Sequence, residues 1–233
     1  MSKSSLLSAT RLTVSRKFPT SGRFVAFEGP EGSGKTTQIR RLAAKLSALG
    51  HDVVITREPG GTSFGDEVRR LLLDHSSGHL EAATELSLML AQRSEHISKV
   101  IIPGLTRGAI VLTDRYIDSS LAYQGYGRAL GADLVRRIHL ELLGPCLPDL
   151  TVLFDLDPVV GLERARHGGS RSHDRLEAET LAFHQRVRDG YLAIAAAEPD
   201  RFIVQSAMGG IDDIFASLEQ HILPRLTGSD SFR

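Results

Sequence analysis

Residues 24–37, FVAFEGPEGSGKTT, constrain the fold more than any other stretch: a short apolar run breaks into glycines, and the glycines open a helical pattern. Gly29, Gly34, Lys35 and Thr36 fill the spacing G-x-x-x-x-G-K-[ST]. In that pattern glycines let backbone N–H groups turn inward around phosphates, Lys reaches the outer phosphates and the hydroxyl holds Mg²⁺. The context that the motif needs is present. Residues 24–27 read as a buried strand, and Ile39, Leu42, Ala43, Leu46 and Leu49 recur at helical spacing after the loop.

The same alternation continues along the chain. A second strand at 52–56 ends in Arg57-Glu58-Pro59-Gly60-Gly61, a third at 109–113 in Asp114-Arg115, and a fourth at 151–154 in Asp155; a fifth lies at 201–205. Between them the periodicity predicts helices at 38–49, 64–73, 80–102, 117–126, 132–143, 176–197 and 211–223, with Pro103-Gly104 closing the third. Strands separated by helices predict an α/β fold, a parallel sheet with helices on both faces and right-handed crossovers. Ligands of such sheets sit at the carboxyl ends of the strands. The charged strand ends therefore predict one polar cleft.

A chain of 233 residues fits one domain, expected at 23–227. Residues 1–22 carry basic residues and no acid, without a clear amphipathic period, and are expected to be a disordered leader; 228–233 form a tail. Lys+Arg and Asp+Glu are both 28, so no net field favours nucleic acid or a membrane surface as partner. No apolar run approaches the length of a membrane span. The single cysteine, Cys146, excludes an internal disulfide and fits a reducing cytoplasm; within GPCLP it reads as a packing residue.

Three placements of charge call for partners. On the long third helix the apolar stripe of Leu86, Met89, Leu90, Ile97, Val100 and Ile101 includes Arg93, which must bridge a structural carboxylate or face an anionic ligand. The run 114–125 gathers Asp114, Arg115, Ser119, Ser120, Tyr123 and Gln124, a set suited to phosphate and to a flat base; Asp118 or Ser119 alternatively caps a helix. The loop 166–174 holds Arg166 and Arg171 beside Gly168-Gly169, the composition of a mobile basic lid over transferring phosphates.

Taken together, FEGPEGSGKTTQ at 27–38, REPGGT at 57–62, LAQRSEH at 90–96, DRYIDSSLAYQGYGR at 114–128, PDLTVLFDLDP at 148–158 and DRLE at 174–177 resemble the thymidylate kinase family. The resemblance runs from residue 24 to about 226. It implies a P-loop kinase fold with a five-stranded parallel sheet, usually a cytoplasmic homodimer, that moves the γ-phosphoryl group of Mg·ATP to dTMP. ATP would lie on Gly29, Pro30, Glu31, Gly32, Ser33, Gly34, Lys35, Thr36 and Thr37, with Thr36 and Asp114 near Mg²⁺. Glu31 would also meet the dTMP sugar, Arg93 its phosphate and Arg115 the phosphate under attack. Ser119, Ser120, Tyr123 and Gln124 would line the nucleoside, Gln124 reading the base edge, and Arg57, Glu58 and Arg69 would surround acceptor phosphate and sugar. Residues 30–33 contain no Arg, so the chain is similar to the bacterial class with the catalytic Arg in the lid, Arg166 or Arg171. Two departures stand out: Gly168 and Ser170 interrupt the lid's Arg-x-Arg spacing, and Met89 occupies a position where a Phe commonly stacks on thymine. Other readings of the same loop are a monophosphate kinase of different base preference and a nucleotide-dependent switch ATPase.

Overall fold

The computed structural model describes residues 21–167 and 174–227. Five parallel strands form one sheet in the order β2 (Val53–Arg57), β3 (Ile110–Asp114), β1 (Arg23–Glu28), β4 (Leu150–Asp155), β5 (Phe202–Ser206). β1, the most central, pairs with β3 on one side and β4 on the other, which is why its residues are apolar on both faces. Phe24 and Ala26 face α3 (Ala82–His96) and α8 (Leu181–Ala197), whereas Val25 and Phe27 face α1 (Lys35–Ala48) and α9 (Ile211–Thr227). Each fully buried Phe, Leu or Ile in these two layers contributes about 1.5–3 kcal/mol. No helix among the described residues is long and apolar enough to cross a membrane.

Among the described residues the further α-helices are α2 (Ser63–Leu73), α4 (Ile102–Thr106), α5 (Ile117–Ser120), α6 (Ala132–Leu143) and α7 (Pro158–His167). Side-chain oxygens of Thr62 and Thr180 cap α2 and α8, accepting from Gly65 N and Phe183 N.

Several boundaries differ from the periodicity. Pro103-Gly104 do not close the third helix: a π-helical turn at Ile97–Ile101 leads into α4, which carries the chain to Thr106. Pro103 falls in the first turn of α4, where a missing N–H and a fixed φ are tolerated. The predicted helix at 117–126 is one α-turn followed by a π-helical stretch, Leu121–Gly127. Residues 175–178 form turns, so the helix expected from 176 starts at Leu181, where Thr180 supplies its cap. Neither Asp118 nor Ser119 caps a helix: Asp118 is buried against Arg201 and Ser119 bonds Glu28.

Candidate active site

The phosphate loop is shaped by close backbone approach. Gly29 has φ +138°, and a Cβ there would lie 2.4 Å from the Phe154 carbonyl oxygen. Gly32 has φ +67°, and its Cβ would meet the Gly161 carbonyl oxygen at 2.1 Å. Only glycine fits either position. Gly34 enters α1 in the left-handed region with no side-chain cap, which leaves the first N–H groups of α1 to an anion. Lys35 folds over its own loop, its Nζ donating to Gly29 O at 3.0 Å, Pro30 O at 2.9 Å and Ser33 Oγ at 3.2 Å. Burial, with Arg115 beside it, lowers the Lys35 ammonium to about 8 against the opposing pull of Glu31 and Asp114.

Parallel pairing of β1 with β3 sets the ends of both strands side by side, so Asp114 and Arg115 reach the loop. The Thr36 hydroxyl donates to Asp114 Oδ2 at 2.6 Å. Arg115, held at φ +69°, donates from Nη2 to Glu31 Oε1 at 2.6 Å and from Nη1 to Gly29 O, Ser119 Oγ and Tyr191 Oη at 3.1–3.2 Å. Tyr123 donates to the same Glu31 oxygen at 3.0 Å. Burial alone would raise the Glu31 carboxyl, but Arg115 and Lys35 outweigh it and hold it below the ordinary value. Glu28 anchors this group from beneath: its Oε2 accepts from Ser119 Oγ at 2.6 Å and Tyr191 Oη at 2.9 Å.

A cleft of about 960 Å³ opens over the loop and is bordered by Arg57, Arg69, Asp114, Arg115 and Arg164. A smaller chamber behind it is lined by Leu72, Leu73, Glu85, Met89, Ser119, Tyr123, Gln124 and Leu176. Glu31, Arg69 and Arg115 border both spaces. Arg69 donates to Pro59 O at 3.1 Å, and burial together with the nearby cations Arg57 and Arg115 lowers its guanidinium. Mutual repulsion among cations in a partly closed cleft is relieved by an anion.

Arg93 is fully buried, as its place on the apolar stripe required, and it is neutralised within the protein: Nε donates to Glu58 Oε2 at 2.7 Å and Nη2 to Tyr116 O and Ser120 Oγ. Glu58 also takes His96 Nδ1 at 2.9 Å, and His96 Nε2 lies 2.6 Å from Thr56 Oγ1. Of the Arg93 donors, Nη1 has no partner among the described residues. The structural bridge and the unused donor thus coexist in one side chain.

Arg57, on the cleft rim, pairs with Asp66 at 3.1 Å. Asp155 borders neither the cleft nor the chamber, contrary to a single cleft gathering four strand ends: Arg188 on α8 holds it with bonds of 2.7 and 3.0 Å. Arg166 lies on the last turn of α7, and Arg171 lies outside the described residues. Sequence reasoning did not single out Glu85, which lines the chamber, or Glu28 and Tyr191, which line neither space and hold Ser119 and Arg115 from within the core. Glu85 was within reach of the logic that singled out Arg93, because residues 85, 89 and 93 share a helical face.

A model of the family described as thymidylate kinase matches residues 27–218. The chain is 47% identical over 207 residues to the thymidylate kinase of Caulobacter vibrioides, covering 89% of this chain and 99% of the relative. It is 50% identical over 197 residues to that of Deinococcus radiodurans, covering 84% and 94%. A crystal structure of thymidylate kinase from Ehrlichia chaffeensis matches with a TM-score of 0.69 at 35% identity, covering 86% of this chain and 98% of that chain.

Proposed function

The chain belongs to the thymidylate kinase family, and on that premise we propose how its residues share the transfer of the γ-phosphoryl group of ATP to dTMP, which gives dTDP and ADP. The observation that carries the assignment is that Glu31, Arg69 and Arg115 border both cavities. A phosphoryl group passing from a nucleotide in the outer cleft to one in the inner chamber travels past these three side chains.

In this reading residues 29–37 receive the donor phosphates. Lys35 swings from its own loop carbonyls to the outer phosphates, an exchange of neutral acceptors for anionic ones that strengthens its bonds. The acceptor's base enters the chamber beside Met89, Tyr123 and Gln124, with Ser119 and Ser120 near the sugar. Arg69, assisted by Arg57, takes the acceptor phosphate. Arg93, fully buried, already offset by Glu58 and bordering neither cavity, stands behind the acceptor site with Nη1 as its one unused donor and brings no net positive charge. Arg115 stands at the junction, where its fork can touch donor and acceptor oxygens together, and Glu31 fixes that fork while offering an oxygen to the acceptor sugar. Arg166 or Arg171 brings lid charge. With a loose transition state, alignment and charge stabilisation are the whole task, and no protein group has to remove a proton.

Mg²⁺ fits the residues present. The Thr36 hydroxyl and Asp114 carboxylate are hard oxygen donors in contact, and such an ion is held by one or two protein oxygens together with phosphates and water. When bound it supplies positive charge to the phosphate oxygens. A homodimer in the cytoplasm completes the proposal and rests on family resemblance.

Glu31→Gln tests the junction. It keeps the shape and removes the charge that aligns Arg115, so kcat should fall by about 10²-fold while KM for dTMP rises. Unchanged kinetics, or an effect confined to ATP, would contradict it.

A further inference from the structure

The acceptor chamber contains a carboxylate that the transfer itself does not use. Glu85, on α3, is fully buried yet charged: Arg128 Nη2 donates to Oε1 at 2.9 Å and Arg128 Nε to Oε2 at 3.2 Å, and Arg175 Nη1 lies 2.7 Å from Oε1. Burial alone would raise its carboxyl, but the bonds from Arg128 and Arg175 outweigh that effect and hold it below the ordinary range. A carboxylate in that state only accepts hydrogen bonds. It also accepts from Gln124, whose Nε2 donates to Oε2 at 3.2 Å.

This contact decides which end of the Gln124 amide is left over. The two ends differ in kind, one a donor and the other an acceptor. With Nε2 turned to Glu85, the Oε1 end remains for the chamber that Gln124 lines. An acceptor there pairs with a ring N–H and opposes a ring lone pair. Thymine and uracil carry hydrogen on N3; cytosine carries a lone pair.

We infer that Glu85 is a specificity-determining positioning residue: by capturing the Gln124 amide nitrogen it makes the chamber choose a pyrimidine whose N3 bears hydrogen. The inference rests on the assignment of Gln124 to the base edge. It adds a cause for that residue's orientation, and it says that thymine and uracil are not told apart at this atom.

Glu85→Gln is the deciding variant. The amide it introduces can keep its carbonyl oxygen on Arg128 Nη2 and Arg175 Nη1, giving up the bond from Arg128 Nε, and turn its own NH₂ to Gln124, which must then reverse and offer NH₂ to the base. The ratio of kcat/KM for dTMP to that for dCMP should fall by about tenfold or more. An equal loss on both nucleotides would mark Glu85 as merely structural and overturn the inference. Gln124→Ala separates the two layers: if it leaves the dTMP/dCMP ratio unchanged, Gln124 does not read the base, and both the assignment and the inference fall. If it lowers the ratio while Glu85→Gln does not, only the inference falls. Should Glu85→Gln not fold, NMR of the unaltered enzyme decides. The Gln124 side-chain amide, identified by its loss in Gln124→Ala, should keep a slowly exchanging proton before and after dTMP is added. Loss of that protection on adding dTMP would overturn the inference.

Discussion

The Thr36 hydroxyl donates to an Asp114 carboxylate oxygen 2.6 Å away, tying the first turn of α1 to the last residue of β3. The contact places two hard oxygens at the mouth of the phosphate loop. Thr36→Ala removes one of them and leaves the loop backbone intact, so the Mg²⁺ concentration giving half-maximal rate should rise by about tenfold or more. A magnesium titration of initial rates checks this, and an unchanged midpoint would exclude Thr36 as a ligand.

Lys35 lays its ammonium over the loop carbonyls, in the place where donor phosphates would lie. Lys35→Ala should lower kcat by about 10²-fold or more, since charge on the phosphates is offset mainly by such groups, while leaving dTMP affinity nearly intact. Calorimetric titration with dTMP beside a turnover assay separates the two effects. Its ammonium ionises at about 8 in the free enzyme, so kcat/KM for ATP should decline as pH rises through that value.

Glu28 gives a pH signature of stability. Burial, with Asp118 as a second cause, raises its carboxyl from 4.5 to about 7, while Arg115, Ser119 and Tyr116 oppose the rise. Between those values the native chain holds this proton more tightly than the unfolded chain, so its contribution to stability is present below the unfolded value and is lost as pH rises through the native one. Glu28→Gln should flatten the slope of Tm against pH in that window. Parallel slopes for the two proteins would contradict the burial of a titrating carboxyl.

Gly161 lies against the phosphate loop so closely that a Cβ would stand 2.4 Å from the Glu31 carbonyl oxygen. Gly161→Ala must push the loop or α7 aside, costing about 1–3 kcal/mol of stability. The displaced loop carries Glu31 and thus Arg115, so kcat should fall by more than KM for either substrate changes. Thermal unfolding and steady-state kinetics of the variant measure both.

Much of this site was legible in the sequence because its charges violate local expectation. Strands that stop in Arg57-Glu58 and Asp114-Arg115 mark the carboxyl edge, and Arg93 stands out because a guanidinium cannot enter an apolar stripe unpaired. Glu85 obeys the same logic but sits in the first turn of α3, where an acid already has a reason to be, the helix dipole. Tyr191 gave no signal, because in α8 it is one more large residue on the buried face, and only the fold brings its hydroxyl to Glu28 and Arg115. Asp155 misled in the opposite direction: a charge at a strand end is a site residue only if no helix reaches it first, and Arg188 does. Pro103 failed as a stop signal because a local rule for α-helices does not foresee a π-turn ahead of it.

Glu31 and Arg115 border both the cleft over the phosphate loop and the chamber behind it, where the two nucleotides are proposed to meet. The most direct test is ADP formation from Mg·ATP with dTMP, dUMP, dCMP and dGMP as alternative acceptors and with none. Rapid ADP release with dTMP, little with dCMP or dGMP, and a negligible rate without acceptor are expected. Acceptor-independent hydrolysis that dTMP does not stimulate, or a preference for dCMP or dGMP, would contradict the assignment.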